Sequence, residues 1–298
     1  MGAPVAARTY VRPGRHARSG RPQRRGWPGR RPGLRPPGGA RRGRAGLIAA
    51  IIAAALVAAA IVAIRLVSGA GPLCQASFVP AYFAPGGGWD RAVSGAAPPA
   101  VMILDISGTG AGTAPDPAFQ AAVRKAQAAG VTVLGYAGTS YGGQPAAAVE
   151  ADVRNYRSWY GVSGMFLDQS PASAAGIGYY RELARYIHQA EPGWTIWLNP
   201  GVYPDQRYMS VANVIMAFEG PYASYRGLRV PAWASHYPAS RFAHTVYATP
   251  GSELASALSL SRARHAGYVY VTDGTGANPY GALPGYWAAE GAKLSARC

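Results

Sequence analysis

Two acidic residues, Asp168 and Glu219, each stand at the C-terminal end of an apolar run. The runs are Gly164–Asp168 and Asn213–Glu219, and each has the length of a buried strand. Burying a charge costs free energy, so an acid in such a place usually has a partner or a chemical role. In a barrel of parallel strands the C-terminal strand ends converge on one mouth. Asp168 and Glu219 are therefore a candidate catalytic pair, and the alternative is that they cap or salt-bridge strand–loop junctions.

A pair of carboxyl groups is what hydrolysis of a glycosidic bond requires. We expect Asp168 to act as nucleophile or electrostatic stabiliser and Glu219 as general acid and base, although the sequence leaves these roles interchangeable. It also leaves open whether the sugar configuration is retained or inverted. If the two groups lie close together in a partly buried site, one of them should titrate at a raised pH.

The predicted strands and helices that would position this pair alternate along the chain. A near-continuously apolar run is typical of a strand with both sheet faces covered. Alternating strands and helices predict a parallel α/β sheet, and eight strands predict a closed (β/α)8 TIM-type barrel. An open doubly wound sheet is the alternative, but no dinucleotide fingerprint follows the first strand, and Pro85–Trp89 is predicted to be a turn. The predicted strands are Ala76–Tyr82, Val101–Ser107, Val131–Tyr136, Gly164–Asp168, Thr195–Asn199, Asn213–Glu219, His244–Thr249 and Tyr268–Asp273, and the clearest helices are Asp116–Ala129, Pro145–Trp159, Tyr179–Ala190 and Ser252–His265.

Polar and aromatic side chains are predicted at the same end of the barrel as the acid pair. Acids, amides and exposed aromatic rings suit a sugar chain, which offers hydroxyl groups and apolar C–H faces. The candidate substrate-binding residues are Asp105, Tyr136, Tyr141, Gln169, Asn199, Tyr247 and Asp273, and further aromatic residues expected around the mouth are Trp89, Tyr203, Tyr222 and Trp233.

The N-terminal part of the chain has a different composition. Residues 1–44 hold 13 of the 29 basic residues and no acid, which predicts a disordered, cytoplasmic Arg/Pro/Gly-rich tail. Ala45–Ile64 is uncharged and long enough to span a bilayer, so residues 45–67 are predicted to be an uncleaved signal anchor, with a cleaved signal peptide as the rival. A linker at 68–75 would lead to an extracytoplasmic barrel at 76–298.

The remaining composition narrows the possible partners. The chain after residue 44 carries 16 basic and 13 acidic residues, so the folded part is nearly neutral and no nucleic-acid partner is expected. No metal-ligand spacing occurs, and neither a metal nor a cofactor is predicted. Cys74 and Cys298 stand near the two ends of the barrel region, where a disulfide could join them in an oxidising compartment, two unpaired thiols being the alternative. A monomer is expected.

Four stretches resemble one protein family in order and spacing. Gly135–Gly142, Trp159–Asp168, Leu198–Gly201 and Ala217–Gly220 look like the spherulation-specific family 4 proteins, and the similarity covers roughly Phe78–Trp287. The resemblance implies a TIM barrel. It also implies a glycoside hydrolase that acts on a galactosamine-containing polysaccharide, with Asp168 and Glu219 in the positions of the family's acids.

Two positions depart from the family pattern. Gln169 stands where the family usually has a second acid directly after the Asp, and Asp105 stands where it often has Asn. An amide cannot transfer a proton, although it can bind a sugar hydroxyl. A two-carboxylate mechanism stays possible, and the alternative is a non-catalytic carbohydrate-binding barrel of the cell surface.

Overall fold

The computed structural model describes residues 74–95 and 97–295. Within them eight parallel strands form a closed barrel, in which each strand pairs with the next and the last pairs with the first. The strands are β1 (Ala76–Ala81), β2 (Val101–Leu104), β3 (Thr132–Gly138), β4 (Gly164–Asp168), β5 (Thr195–Leu198), β6 (Val214–Pro221), β7 (Phe242–Tyr247) and β8 (Tyr268–Val271).

Helices fill most of the connections between these strands. They are α1 (Gly87–Val93), α2 (Pro117–Ala128), α3 (Ala146–Asn155), α4 (Ile177–Ala190), α5 (Tyr222–Tyr225), α6 (Leu254–Ala263) and α7 (Trp287–Ser295). The longest, α4, shows how the layer forms: Tyr180, Leu183, Ala184 and Ile187 follow a spacing of three to four and are buried on one face. The prediction of a (β/α)8 TIM-type barrel is confirmed, and the open-sheet alternative is excluded.

The predicted strands are all present, and no strand end is displaced by more than three residues. Three helices, α1, α5 and α7, were not predicted. The turn expected at Pro85–Trp89 is wrong, because α1 begins at Gly87 and buries Trp89, Ala92 and Val93 against the core. Ala92 and Val93 follow Trp89 by three and four residues, which is a helical spacing, but the glycines at the start of α1 obscured this pattern in the sequence. The C-terminal helix α7 was also missed.

A glycine on β3 lets the helical layer approach the barrel closely. After α3 the chain continues through a wider helical turn at Tyr156–Tyr160, and the buried Tyr156 ring packs on β3. A Cβ atom at Gly135 would stand 2.5 Å from that ring, so no larger residue fits there without displacing it. The Tyr156 hydroxyl donates a hydrogen bond to the carbonyl oxygen of Leu104 at 3.0 Å, which ties the same turn to β2.

Several predictions fall on residues outside the described ranges. They are the tail at 1–44, the signal anchor at 45–67, most of the linker at 68–75, and Cys298. In residues 74–95 and 97–295, none of the helices has both the length and the hydropathy needed to cross a bilayer. Cys74 is exposed, and its pairing with Cys298 stays a prediction.

Candidate active site

The side chains of Asp168 and Glu219 meet at the mouth of the barrel through Asn199. The Asn199 amide nitrogen donates one hydrogen bond to Asp168 Oδ1 at 2.7 Å and another to Glu219 Oε2 at 2.5 Å. Because both oxygens bond the same nitrogen, they lie at most 5.2 Å apart, the sum of the two distances. The two acids therefore lie close together, although β5 separates the strands that carry them.

Strand register explains why Asp168 faces this centre. Asp168 on β4 pairs with Gly138 on β3, and Phe166 pairs with Tyr136. Residues two apart on a strand share a face, so Tyr136 and Asp168 point to the same side of the sheet. The Tyr136 hydroxyl donates a hydrogen bond to Asp168 Oδ2 at 2.7 Å, and its ring stacks on Phe166 at 6.1 Å. Both oxygens of Asp168 therefore accept a hydrogen bond.

A β-bulge on β6 turns Glu219 toward the mouth. Met216 pairs with Ala243 on β7 and Glu219 pairs with Thr245, while the register shifts between Met216 and Phe218. Ala243 and Thr245 are two residues apart and share a face, so Met216 and Glu219 share that face although three positions separate them. Without the extra residue Glu219 would point away from the barrel interior. This is a common use of a bulge beside a functional site.

Glu219 is held by a second donor that the sequence did not predict. The hydroxyl of Tyr280, in the loop after β8, donates to Glu219 Oε1 at 2.8 Å. Burial raises the pKa of Glu219, and the charge of Asp168 raises it further, whereas the hydrogen bonds from Asn199 and Tyr280 lower it. Burial is the largest cause and the net direction is upward. Glu219 therefore holds its proton to higher pH than an ordinary glutamate does.

Two depressions meet at Glu219. The larger has a volume of about 790 Å³ and includes Asp105, Tyr136, Tyr247 and Tyr280 in its walls. The smaller, of about 280 Å³, includes Asp168 and Asn199. Glu219 lines both of them. A chain-like ligand that ran from one depression to the other would pass directly over the acid pair.

Residues beside the smaller depression adopt unusual backbone conformations. Gln169 and Tyr141 both have positive φ, 54° and 57°, in the region that L-residues rarely occupy. The Tyr141 N–H donates to the Gln169 carbonyl oxygen at 2.7 Å, so a hydrogen bond connects the two residues with positive φ. The Gln169 side chain is exposed, and Tyr141 is 68% exposed, an unusual state for so large a ring. Both residues line the smaller depression.

Burial also raises the pKa of Asp105, and the charge of Asp168 adds to this effect. One oxygen of Asp105 accepts the Gly108 N–H at 2.8 Å.

The residues that form the two depressions include four acids, namely Asp105, Asp116, Asp168 and Glu219, and none of those residues is Lys, Arg or His. The described residues hold no group of three or more His, Cys, Asp or Glu suited to a metal ion.

The structure does not bring Asp273 into either depression. Strand β8 ends at Val271, two residues earlier than predicted, so Asp273 belongs to the following loop and is exposed. Its Oδ2 atom would lie 3.8 Å from a Cβ at Gly285. Asp273 therefore lines neither depression, and its assignment to substrate binding stays a prediction.

Four of the aromatic residues expected around the mouth lie elsewhere. Trp89 is 2% exposed in α1, and its ring packs edge-on against Phe119. The Tyr203 ring packs edge-on against Trp233, with ring centroids 5.9 Å apart. The Tyr222 hydroxyl donates to Glu253 at 3.0 Å. None of these four residues lines either depression at Glu219.

Two tyrosines take the places that these aromatic residues were expected to fill. The ring of Tyr82 lies 5.5 Å from that of Tyr136 and 5.8 Å from that of Tyr280, so the three form one aromatic wall. Tyr82 directly follows β1, at the end of a predicted strand, and could have been inferred from its position. Tyr280 lies nine residues beyond β8 in a Gly/Asn/Pro-rich loop, where periodicity gives no signal.

An eight-stranded parallel barrel whose polar and acidic side chains gather at the C-terminal strand ends defines the TIM-barrel class of proteins. Residues 77–292 match the sequence profile of spherulation-specific family 4, and the chain belongs to that family. It is 32% identical over 232 residues to Spherulin-4 of Physarum polycephalum, which covers 73% of this chain and 69% of that protein.

Solved structures share the fold. The crystal structure of Aspergillus clavatus Sph3 in complex with GalNAc superposes with a TM-score of 0.64 at 22% identity, covering 76% of this chain and 98% of that one. A chitinase from Chromobacterium violaceum superposes with a TM-score of 0.51 at 12% identity, covering 75% of this chain and all of the other. At these identities the likeness establishes the barrel architecture.

Proposed function

We propose that the barrel is a glycoside hydrolase that cleaves an amino-sugar polysaccharide with Asp168 and Glu219. The observation that carries this proposal is the shared contact with Asn199, which holds one oxygen of each acid within 5.2 Å of the other. Carboxyl groups about 5 to 5.5 Å apart are typical of retaining glycosidases, whereas inverting enzymes leave a wider gap for water. The geometry therefore favours retention of configuration.

The electrostatics of the two acids suggest how the roles divide. Glu219, whose pKa is raised by burial, would donate its proton to the leaving glycosidic oxygen. Asp168, with both oxygens oriented by Tyr136 and Asn199, would attack or stabilise the anomeric carbon as the bond breaks. Glu219 would then take a proton from the water that hydrolyses the intermediate. Glu219 thus acts as acid in the first step and as base in the second, while Asp168 acts at the anomeric carbon.

The charge of the cleft supports an amino sugar as the substrate. Four acids and no basic side chain line the two depressions, although the described residues as a whole carry nearly balanced charge. An unacetylated amine carries a positive charge at neutral pH and would complement such a surface. The relative Sph3 was crystallised with GalNAc, which is a galactosamine derivative. A galactosamine-type polymer is therefore the first substrate to test.

The test is release of oligosaccharides from partially deacetylated galactosamine polymer by the purified full-length chain. Asp168→Asn and Glu219→Gln should each reduce the rate by about 100-fold or more while binding persists, because each removes a group that acts in the transition state. Matched controls are Asp90→Asn and Glu182→Gln, since both acids are exposed on outer helices. If amino-sugar and neutral glycans all stay intact while binding persists, the proposal fails.

A non-catalytic carbohydrate-binding barrel is the second candidate, and Gln169 is the observation that favours it. The exposed Gln169 side chain lies beside Asp168, in the place where the family usually has an acid. If Asp168 and Glu219 suffice for turnover, Gln169→Glu should change the hydrolysis rate by less than about tenfold. If the wild-type chain only binds glycans and Gln169→Glu creates hydrolysis, the barrel is a binding protein.

We also propose that residues 45–64 anchor the chain in a membrane, with the barrel on the extracytoplasmic side. The support is the uncharged length of this segment and the arginine-rich stretch before it. Protease added to intact cells should then digest the barrel, whereas a barrel protected until the cells are lysed would refute this placement. The monomeric state and the disulfide between Cys74 and Cys298 stay predictions.

A further inference from the structure

Asn199 has no amide hydrogen left for a substrate. A side-chain amide nitrogen carries two hydrogens. In Asn199 the nitrogen contacts Asp168 Oδ1 at 2.7 Å and Glu219 Oε2 at 2.5 Å, so both are used inside the acid pair. Side chains that recognise sugars need a free donor or acceptor that faces the cleft. The earlier assignment of Asn199 to substrate binding therefore does not suit its contacts.

The orientation of the Asn199 amide is fixed from the oxygen side. Asn199 Oδ1 accepts the N–H of Gly201 at 2.9 Å, and the Gly201 carbonyl oxygen accepts the N–H of Glu219 at 3.0 Å. Rotating the amide by half a turn would set its NH2 group against the Gly201 N–H and its oxygen against two carboxylates. Gly201 has a φ of 66°, so the turn that presents this N–H favours glycine.

The backbone of Asn199 is anchored on both sides of Asp168. Its N–H donates to the Leu167 carbonyl oxygen at 3.0 Å, and its own carbonyl oxygen accepts the Ser170 N–H at 2.9 Å. Asn199 is 8% exposed. The position and the orientation of the amide are therefore determined by β4, β5 and the turn at Gly201.

We infer that Asn199 is a positioning residue, which holds Asp168 and Glu219 at catalytic separation and acts on the substrate only through them. This inference rests on the proposed function of the acid pair. Two carboxyl groups so close together repel each other when both are ionised, and a shared donor offsets part of that repulsion. The hydrogen bond from Asn199 lowers the pKa of Glu219 against the larger effect of burial, so the same contact contributes to the pH at which Glu219 loses its proton.

Asn199→Asp is the discriminating substitution, because it keeps the shape and replaces the shared donor with a third carboxyl. We expect kcat to fall by about 10- to 100-fold, KM to change by less than about threefold, and the alkaline limb of the pH profile to move to higher pH. Asn199→Ser adds no charge and offers a single hydrogen, so it should lower kcat without moving KM. A rise in KM with kcat and the pH profile unchanged would show a sugar-binding role and overturn the inference.

Asn213→Asp is the matched control. Asn213 lies at the opposite end of β6, and its Oδ1 accepts the Ile196 N–H at 2.8 Å, a bond that an aspartate preserves. This variant should keep the wild-type kcat and pH profile. If the wild-type chain proves inactive, the proposed function fails, and carboxyl ¹³C NMR of the full-length chain tests the inference separately. Titration of Glu219 at higher pH in Asn199→Asp supports it, and an unchanged Glu219 titration in that variant refutes it.

Discussion

Tyr280 should control the pH at which the site loses activity. Its hydroxyl bonds Glu219 Oε1 at 2.8 Å, and this hydrogen bond lowers the pKa of Glu219. Tyr280→Phe keeps the ring and removes the donor, so the pKa of Glu219 should rise. A general acid works while it is protonated, and activity is lost as the pH rises through its pKa. The alkaline limb of the variant should therefore lie at higher pH than that of the wild type.

The size of this effect follows from the nature of the hydrogen bond. A bond to a charged group contributes about 1.5 to 3 kcal/mol, and we take the lower figure because Glu219 is partly exposed and water can replace the donor. That energy corresponds to about a tenfold change in the ratio of protonated to ionised Glu219. At a pH where about one tenth of wild-type molecules keep the proton, about half of the variant molecules should keep it.

The assay is kcat/KM for hydrolysis across the pH range, which reports the free enzyme. Tyr222→Phe is the matched control, since the Tyr222 hydroxyl also donates to a glutamate, Glu253, at 3.0 Å but lies outside both depressions. Its profile should match the wild type. An alkaline limb that stays in place in Tyr280→Phe, or moves to lower pH, would refute the assignment of Glu219 as general acid.

Two further predictions concern a buried acid and the reaction product. Glu290 is fully buried, its Oε1 accepts the Val271 N–H at 3.0 Å, and burial raises its pKa well above the usual value. The folded state then keeps a proton that the unfolded state loses above about pH 4.3, so stability falls as the pH rises through this window, by up to about 1.4 kcal/mol per pH unit. Between pH 5 and 8 the Tm of the wild type should fall more steeply than that of Glu290→Gln, by about 3 to 5 °C per pH unit, and parallel curves would contradict this. For the product, ¹H NMR of the first sugar released should show the anomeric configuration of the substrate, and an inverted anomer would rule out the close-pair mechanism.

The barrel could be predicted because its signal is local and repeated. Each strand buries both faces and reads as an apolar run, so eight runs with helices between them are visible in the sequence. The ends of the strands are less well marked, because side chains just beyond a strand can be apolar or polar. Asp273 shows this: it was predicted as the last residue of β8, but β8 stops at Val271 and Asp273 is exposed in the following loop.

The two acids could be located from the sequence, whereas the bulge and the hydrogen-bond donors that position them could not. Val214–Phe218 is uniformly apolar, so nothing in it indicates the bulge that turns Glu219 inward. Tyr280 comes from a loop whose path depends on tertiary packing. The place of Asn199 at a strand end was visible, but its bonds to both acids depend on the spacing of β4, β5 and β6 in the closed barrel.

The central claim is that Asp168 and Glu219 act together on one glycosidic bond. A double-mutant comparison of Asp168→Asn, Glu219→Gln and the combined variant tests it most directly, with hydrolysis of partially deacetylated galactosamine polymer as the readout. Groups that work as one unit are not additive, so the double variant should be about as slow as the slower single variant. Losses that multiply in the double variant, or a single variant that keeps the wild-type rate, would contradict the claim.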